Sequence, residues 1–188
     1  MSGRHSRQAH QSGFTLLEAL IAFIILSVGL LGAVALQAKA KQASFDSMQR
    51  AAALALGNDI IQRIRANDVN NADTLYNFSF NSTEAIDDSA NCQNNICSPE
   101  QLASFDRAQW QRAIRARENS GTLDNAVVCI SPNRTNGPVT SEVQLTVVVT
   151  WEGRQALNGG LTGGVNCGDN NSERRALVLN SSVHLRAP

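Results

Sequence analysis

Net charge is the first thing this sequence lacks. Its 188 residues hold 16 basic and 16 acidic side chains, so no global field argues for nucleic acid as a partner. Histidine is scarce: there are three, and two of them, His5 and His10, fall in the first ten residues. The third, His184, stands alone near the C-terminus. No pattern supplies a nucleophile, a base and an orienting group together, and there is no glycine-rich phosphate loop. An enzyme is therefore not expected, nor is a cofactor. Cysteine is absent before Cys92. The cysteines that follow lack the tight paired spacing of a zinc site, so no metal is expected. Proline is absent between Gln37 and Ala66, which leaves a long helix free to run without a break.

What is present is concentrated at the N-terminus. The first 13 residues carry Arg4 and Arg7 and no acid; removing both would leave a net charge of −2. From Phe14 to Leu36 the chain reads FTLLEALIAFIILSVGLLGAVAL, with Glu18 as its single charge. As a helix this run spans about 34 Å, enough to cross a bilayer core of about 30 Å. A secretory signal would have a shorter apolar region followed by a small-x-small site. A plain membrane anchor would rarely carry a carboxylate, which costs about 2.5–3.5 kcal/mol at mid-helix. A third arrangement fits better, with cleavage ahead of the apolar run and retention of the run itself.

The junction Ser12-Gly13-Phe14-Thr15-Leu16-Leu17-Glu18 resembles the prepilin peptidase site of type IV pilins and type II secretion pseudopilins. The resemblance implies cleavage between Gly13 and Phe14 on the cytoplasmic side and N-methylation of the new Phe14 amine. Glycine suits the site because it lets backbone approach an active site closely. Glu18 lies four residues after Phe14, one helical turn away, where a carboxylate can meet an amine. Between subunits that pairing would set axial register; the plain alternative is a glutamate that snorkels to the interface. The basic leader fits the positive-inside rule and predicts a C-terminal domain facing the periplasm. Many major pilins bend this helix with a proline, where this chain has Ala35. Gly29 and Gly32 offer close helix contact instead.

Residues Gln37 to Ala66 extend the helix. Phe45, Met48, Ala52, Leu56, Ile60 and Ile64 recur at three- and four-residue steps as one apolar face. Lys39, Lys41, Asp46, Gln49 and Arg63 are expected opposite. Gly57 is a weak point, costing about 1 kcal/mol against alanine. Residues Asn67 to Asn95 are rich in Asn, Asp and Ser and read as a long connection, with an aromatic island at Tyr76, Phe78 and Phe80. Ser98, Pro99 and Gln101 then form a capping-box start, and a helix continues to about Glu118. Arg107, Arg112, Arg115 and Arg117 on it read as a solvated face. The strands come last: Ala126–Ser131; Glu142–Trp151, with Val143, Leu145, Val147, Val149 and Trp151 facing one way; and Arg174–Arg186. Turn chemistry fills Pro132–Pro138, and a glycine- and asparagine-rich loop fills Gly153–Glu173.

Cys92, Cys97, Cys129 and Cys167 are even in number and lie beyond the apolar run, which fits disulfides in an oxidising compartment. Four cysteines allow three connectivities. The preferred one is Cys92–Cys97, closing a small local loop, with Cys129–Cys167, tying a long loop to a strand.

The expected fold is α+β and pilin-like, a long N-terminal helix packed on a small antiparallel sheet with a disulfide-stabilised C-terminal region. Its expected parts are a removed leader (1–13), a transmembrane and assembly helix (14–36), an amphipathic continuation (37–66) and a periplasmic globular domain (67–188). The run Leu26-Ser27-Val28-Gly29-Leu30-Leu31-Gly32, the Gln37 after it, Ile64-Arg65-Ala66 and the strand Val147–Arg154 (VVVTWEGR) resemble minor pilins of the PilV type. That resemblance implies a low-abundance subunit that primes pilus assembly at the inner membrane. Its implied partners are the prepilin peptidase, other minor and major pilins, the inner-membrane assembly machinery and the membrane. Secretion or competence pseudopilins share the N-terminal signal, and a tip-located binding module is the other alternative.

Overall fold

The computed structural model describes residues 13–134, 141–156 and 164–186. Among the described residues the elements in order are α1 (Leu16–Ala66), α2 (Ala72–Leu75), β1 (Phe78–Asn81), α3 (Pro99–Asn119), β2 (Asp124–Asn133), β3 (Glu142–Glu152) and β4 (Arg174–His184). The chain divides into two compact units, Met1–Ser44 and Phe45–Pro188, and α1 contributes to both.

In the second unit the four strands form one antiparallel sheet in sequence order, β1-β2-β3-β4. Alternation on β3 sends Val143, Leu145, Val147, Val149 and Trp151 into the core, as the period-two pattern requires. Val128 pairs with Val149 and Ile130 with Val147 across β2 and β3, so the buried rows line up strand to strand. Ala53, Leu56, Ile60, Ile61 and Ile64 of α1 join the same core. Gly57 fits among them for a packing reason. A Cβ there would overlap Leu179 Cδ1 and stand 3.9 Å from Val149 Cγ2, so the missing side chain lets helix and sheet meet.

The buried stripe on α1 differs from the expected one at its N-terminal end. Met48 is exposed, whereas Gln49, expected on the polar face, is buried. The row that packs is Gln49, Ala53, Leu56, Gly57, Ile60, Ile61 and Ile64. Gln49 faces a polar recess lined by Asp124, Glu152 and Arg154, where an amide suits better than a thioether.

The stretch expected to be a plain connection holds two elements, α2 and β1. Phe78 pairs with Ile130 and Phe80 with Val128, which makes β1 an edge strand. Tyr76 and Phe80 are buried, with ring centroids both 6.2 Å from Trp110. Helix α3 begins with the full reciprocal cap: Gln101 N–H donates to Ser98 Oγ at 3.3 Å, and Ser98 N–H donates to Gln101 Oε1 at 2.9 Å. A polar cluster ties α3 to α1. Trp110 Nε1 donates to Asp59 (2.9 Å), and Arg63 bridges Asp59 (2.9 Å) and Asp106 (3.0 Å). Tyr76 Oη donates to Asp106 at 2.9 Å and accepts from Asn67 at 3.0 Å. Burial raises the Asp106 carboxyl above its ordinary value despite these donors, and it also pushes the Tyr76 hydroxyl up.

Two disulfides join Cys92 to Cys97 and Cys129 to Cys167, with Cα separations of 5.5 and 5.9 Å. The second lies where the Cys167 carbonyl accepts from Thr150 Oγ1 at 3.1 Å. Arg174, buried, donates to the carbonyls of Asp169 (3.0 Å) and Asn125 (2.6 Å). Part of the Pro132–Pro138 turn and the middle of the Gly153–Glu173 loop lie outside the described residues.

Candidate assembly helix and processing junction

The N-terminal unit starts from an irregular backbone over residues 13–15, followed by α1. Thr15 caps the helix: Glu18 N–H donates to Thr15 Oγ1 (3.3 Å) and to the Thr15 carbonyl (3.1 Å). Thr15 and Glu18 therefore stand as N-cap and N3, the spacing of a capping box, in which the acid also favours the positive end of the helix dipole. The Thr-x-x-Glu pattern is the local sequence signal of this helix start. The Glu18 carboxylate is exposed and has no ion pair among the described residues.

Gly13 and Phe14 precede the helix and are exposed. A Cβ on Gly13 would meet nothing within 4 Å, so the local fold places no demand for glycine there. The leader residues 1–12 lie outside the described residues.

Beyond the cap, Leu16, Leu17, Leu20, Ile21, Phe23, Ile24, Ile25 and Leu26 are all exposed. Apolar surface this extensive is covered by lipid or by other apolar chains in a working protein. Helix α1 is long and apolar enough to cross a membrane. The one hydroxyl amid the run, Ser27, donates to the Phe23 carbonyl at 2.7 Å, which leaves no unsatisfied donor to oppose an apolar surround.

The four α3 arginines are not a freely solvated face. Arg107 pairs with Glu84 at 3.1 Å and Arg112 pairs with Asp88. Arg115 donates to the carbonyls of Ser82 (2.6 Å) and Glu84. Only Arg117 bonds within its own helix, to the Ala113 carbonyl. Three arginines thus fasten residues 82–88 to α3. His184, exposed, ends β4 opposite Glu142.

Residues 8–34 match the family model of the prokaryotic N-terminal methylation motif. Residues 35–108 match a model described as Tt1218-like, type IV pilin Tt1218. No curated protein and no solved structure matches the chain. Over the matched residues the chain is similar to type IV pilins and carries the N-terminal methylation motif, and the long helix, four-stranded antiparallel sheet and two disulfides are consistent with the type IV pilin fold. The motif implies processing by a prepilin peptidase and assembly with other pilins.

Proposed function

We propose that this chain is a minor type IV pilin of the PilV type, a low-abundance subunit that primes the pilus at the inner membrane and is carried into the filament. One observation supports it above the rest. The methylation motif, residues 8–34, coincides with an exposed junction and an apolar helix that has no apolar partner among the described residues of its own unit. On this reading the peptidase cuts between Gly13 and Phe14, and Phe14 is N-methylated. Because no described neighbour requires glycine at 13, its requirement falls to the enzyme that must approach the bond. The basic leader stays in the cytoplasm, so the domain bearing the disulfides faces the oxidising periplasm. Ala35 in place of a helix-bending proline, together with the segments Leu26–Gly32 and Val147–Arg154, supports a minor over a major subunit.

The test is expression in two hosts, one lacking a minor pilin and one lacking a minor secretion pseudopilin. Restoration of pili in the first alone is expected. Rescue of secretion alone would assign the chain to the pseudopilins. In both hosts, Gly13→Val is expected to leave uncleaved, membrane-bound precursor, detected by mass; normal processing would overturn the assigned cleavage site.

A further inference from the structure

A cleft of about 390 Å³ lies between residues 88–93 and α3, lined by Asp88, Asn91, Gln93, Phe105, Gln109 and Arg112. Small-ligand sites commonly hold about 300–1,000 Å³. One wall is braced covalently: the Cys92–Cys97 disulfide closes a short ring that contains Gln93. Asn91 Oδ1 accepts from the Gln93 backbone N–H at 3.3 Å, and the Asn91 carbonyl accepts from the Asn95 amide at 3.1 Å. The other wall is helical. Phe105, Gln109 and Arg112 recur at steps of four and three, which places them on one face of α3. Arg112 reaches across to Asp88.

The charges in this cleft cancel in that pair, so neither an anion nor a cation is favoured. The polar lining disfavours an apolar ligand. What remains is a set of planar groups, each with two hydrogen-bonding atoms side by side: the Gln93 and Gln109 amides, the Asp88 carboxylate and the Arg112 guanidinium. The two glutamine side chains make no hydrogen bond with any described residue. An aromatic ring, Phe105, completes the lining. Neighbouring hydroxyls, each both donor and acceptor, match such planar groups in pairs, and the C–H face of a sugar ring suits an aromatic surface. The geometry points to a binding site for a neutral saccharide, held by Gln109 and by Gln93, which the Cys92–Cys97 ring contains. The site is independent of the helix that would assemble the filament.

The full-length protein, purified in lauryldimethylamine oxide so that no detergent sugar competes, is titrated with maltose, lactose, cellobiose and N,N′-diacetylchitobiose by saturation-transfer NMR. At least one is expected to bind with a Kd in about the millimolar range. Gln109→Ala and Gln93→Ala are each expected to weaken it about tenfold without moving the thermal transition. Should Gln109→Ala fail to fold, Gln93→Ala, outside any helix or strand, carries the test. Absence of binding by all four sugars, unchanged affinity in the glutamine variants, or preference for a charged sugar such as 3′-sialyllactose would each overturn the assignment.

Discussion

Gly57 of α1 lies directly against Leu179 of β4: a methyl group at 57 would overlap Leu179 Cδ1 and stand 3.5 Å from its Cγ. Alanine in a helix interior ordinarily gains about 1 kcal/mol over glycine. Here the gain is opposed by displacement of Leu179, so Gly57→Ala is expected to leave stability unchanged within about 1 kcal/mol. Gly57→Leu is expected to destabilise by about 1–3 kcal/mol through overpacking. In a Leu179→Ala background, Gly57→Ala should turn more favourable, and a double-mutant cycle by urea denaturation measures that coupling. Full stabilisation by Gly57→Ala alone would contradict the contact.

Asp106 and Glu152 should give stability opposite dependences on pH. Asp106 is buried, and desolvation raises its pKa above the ordinary 3.8. The folded state therefore holds that proton more tightly, and the group's contribution is present below the unfolded pKa and lost as pH rises through the folded one. Glu152 is the reverse: donors from Asn171 and Asn125 hold its pKa below the ordinary 4.5, so its contribution is present above 4.5 and lost as pH falls. Asp106→Asn should accordingly gain on the parent as pH rises from the carboxylate range towards neutrality. Glu152→Gln should gain on the parent as pH falls through that range. Thermal melts across the acidic range check both signs, and parallel profiles would refute the assignment.

The parts of this fold that were legible in the sequence are those encoded over a few neighbouring residues. The alternation from Val143 to Trp151, the Ser98–Gln101 cap, and the apolar run from Leu16 to Leu36 are of this kind. The parts missed depend on distant partners. Strand β1 is four residues long in an Asn- and Ser-rich stretch, and it exists because Phe78 and Phe80 pair with Ile130 and Val128; their period-two spacing was the only local hint. Gln49 and Met48 are adjacent on a helix, and the recess that Gln49 lines is completed by Glu152 and Arg154, about a hundred residues away. The α3 arginines read as solvated because Glu84 and Asp88, which bind two of them, lie in another segment. The processing motif is contiguous and so was readable, whereas the cleft residues Gln93 and Gln109 come together only in the folded chain.

The two disulfides should differ in their effect on stability. Cys129 and Cys167 are 38 residues apart, Cys92 and Cys97 five. Loop-closure entropy grows with loop length, so the chain-entropy account gives about 3–4 kcal/mol for the longer loop and about 2 kcal/mol for the shorter. Replacing Cys129 and Cys167 by serine is therefore expected to lower the denaturation midpoint more than replacing Cys92 and Cys97. Non-reducing mass analysis of the parent should show four hydrogens fewer than the reduced chain, and an equal or reversed order of the midpoints would count against the entropic account.

Glu18 offers a way to separate processing from assembly. Its backbone N–H donates to the Thr15 cap, while its carboxylate has no ion pair among the described residues. Glu18→Gln keeps the backbone bond, the side-chain size and the apolar run, so the helix should form and Gly13–Phe14 should still be cut. On the proposed function, what it removes is the charge that would meet the Phe14 amine of a neighbouring subunit once the leader is cut away. The expected result is a normal mature mass in the membrane fraction with a sharp drop in pili, or in secreted protein where that is the function rescued. Thr15→Ala is the control: it weakens the cap, at about 1 kcal/mol, and leaves the charge in place, so pili should persist. If Glu18→Gln left filament numbers unchanged, the carboxylate would be no more than a snorkelling group; if both variants lost pili equally, the helix start rather than the charge would be what assembly reads.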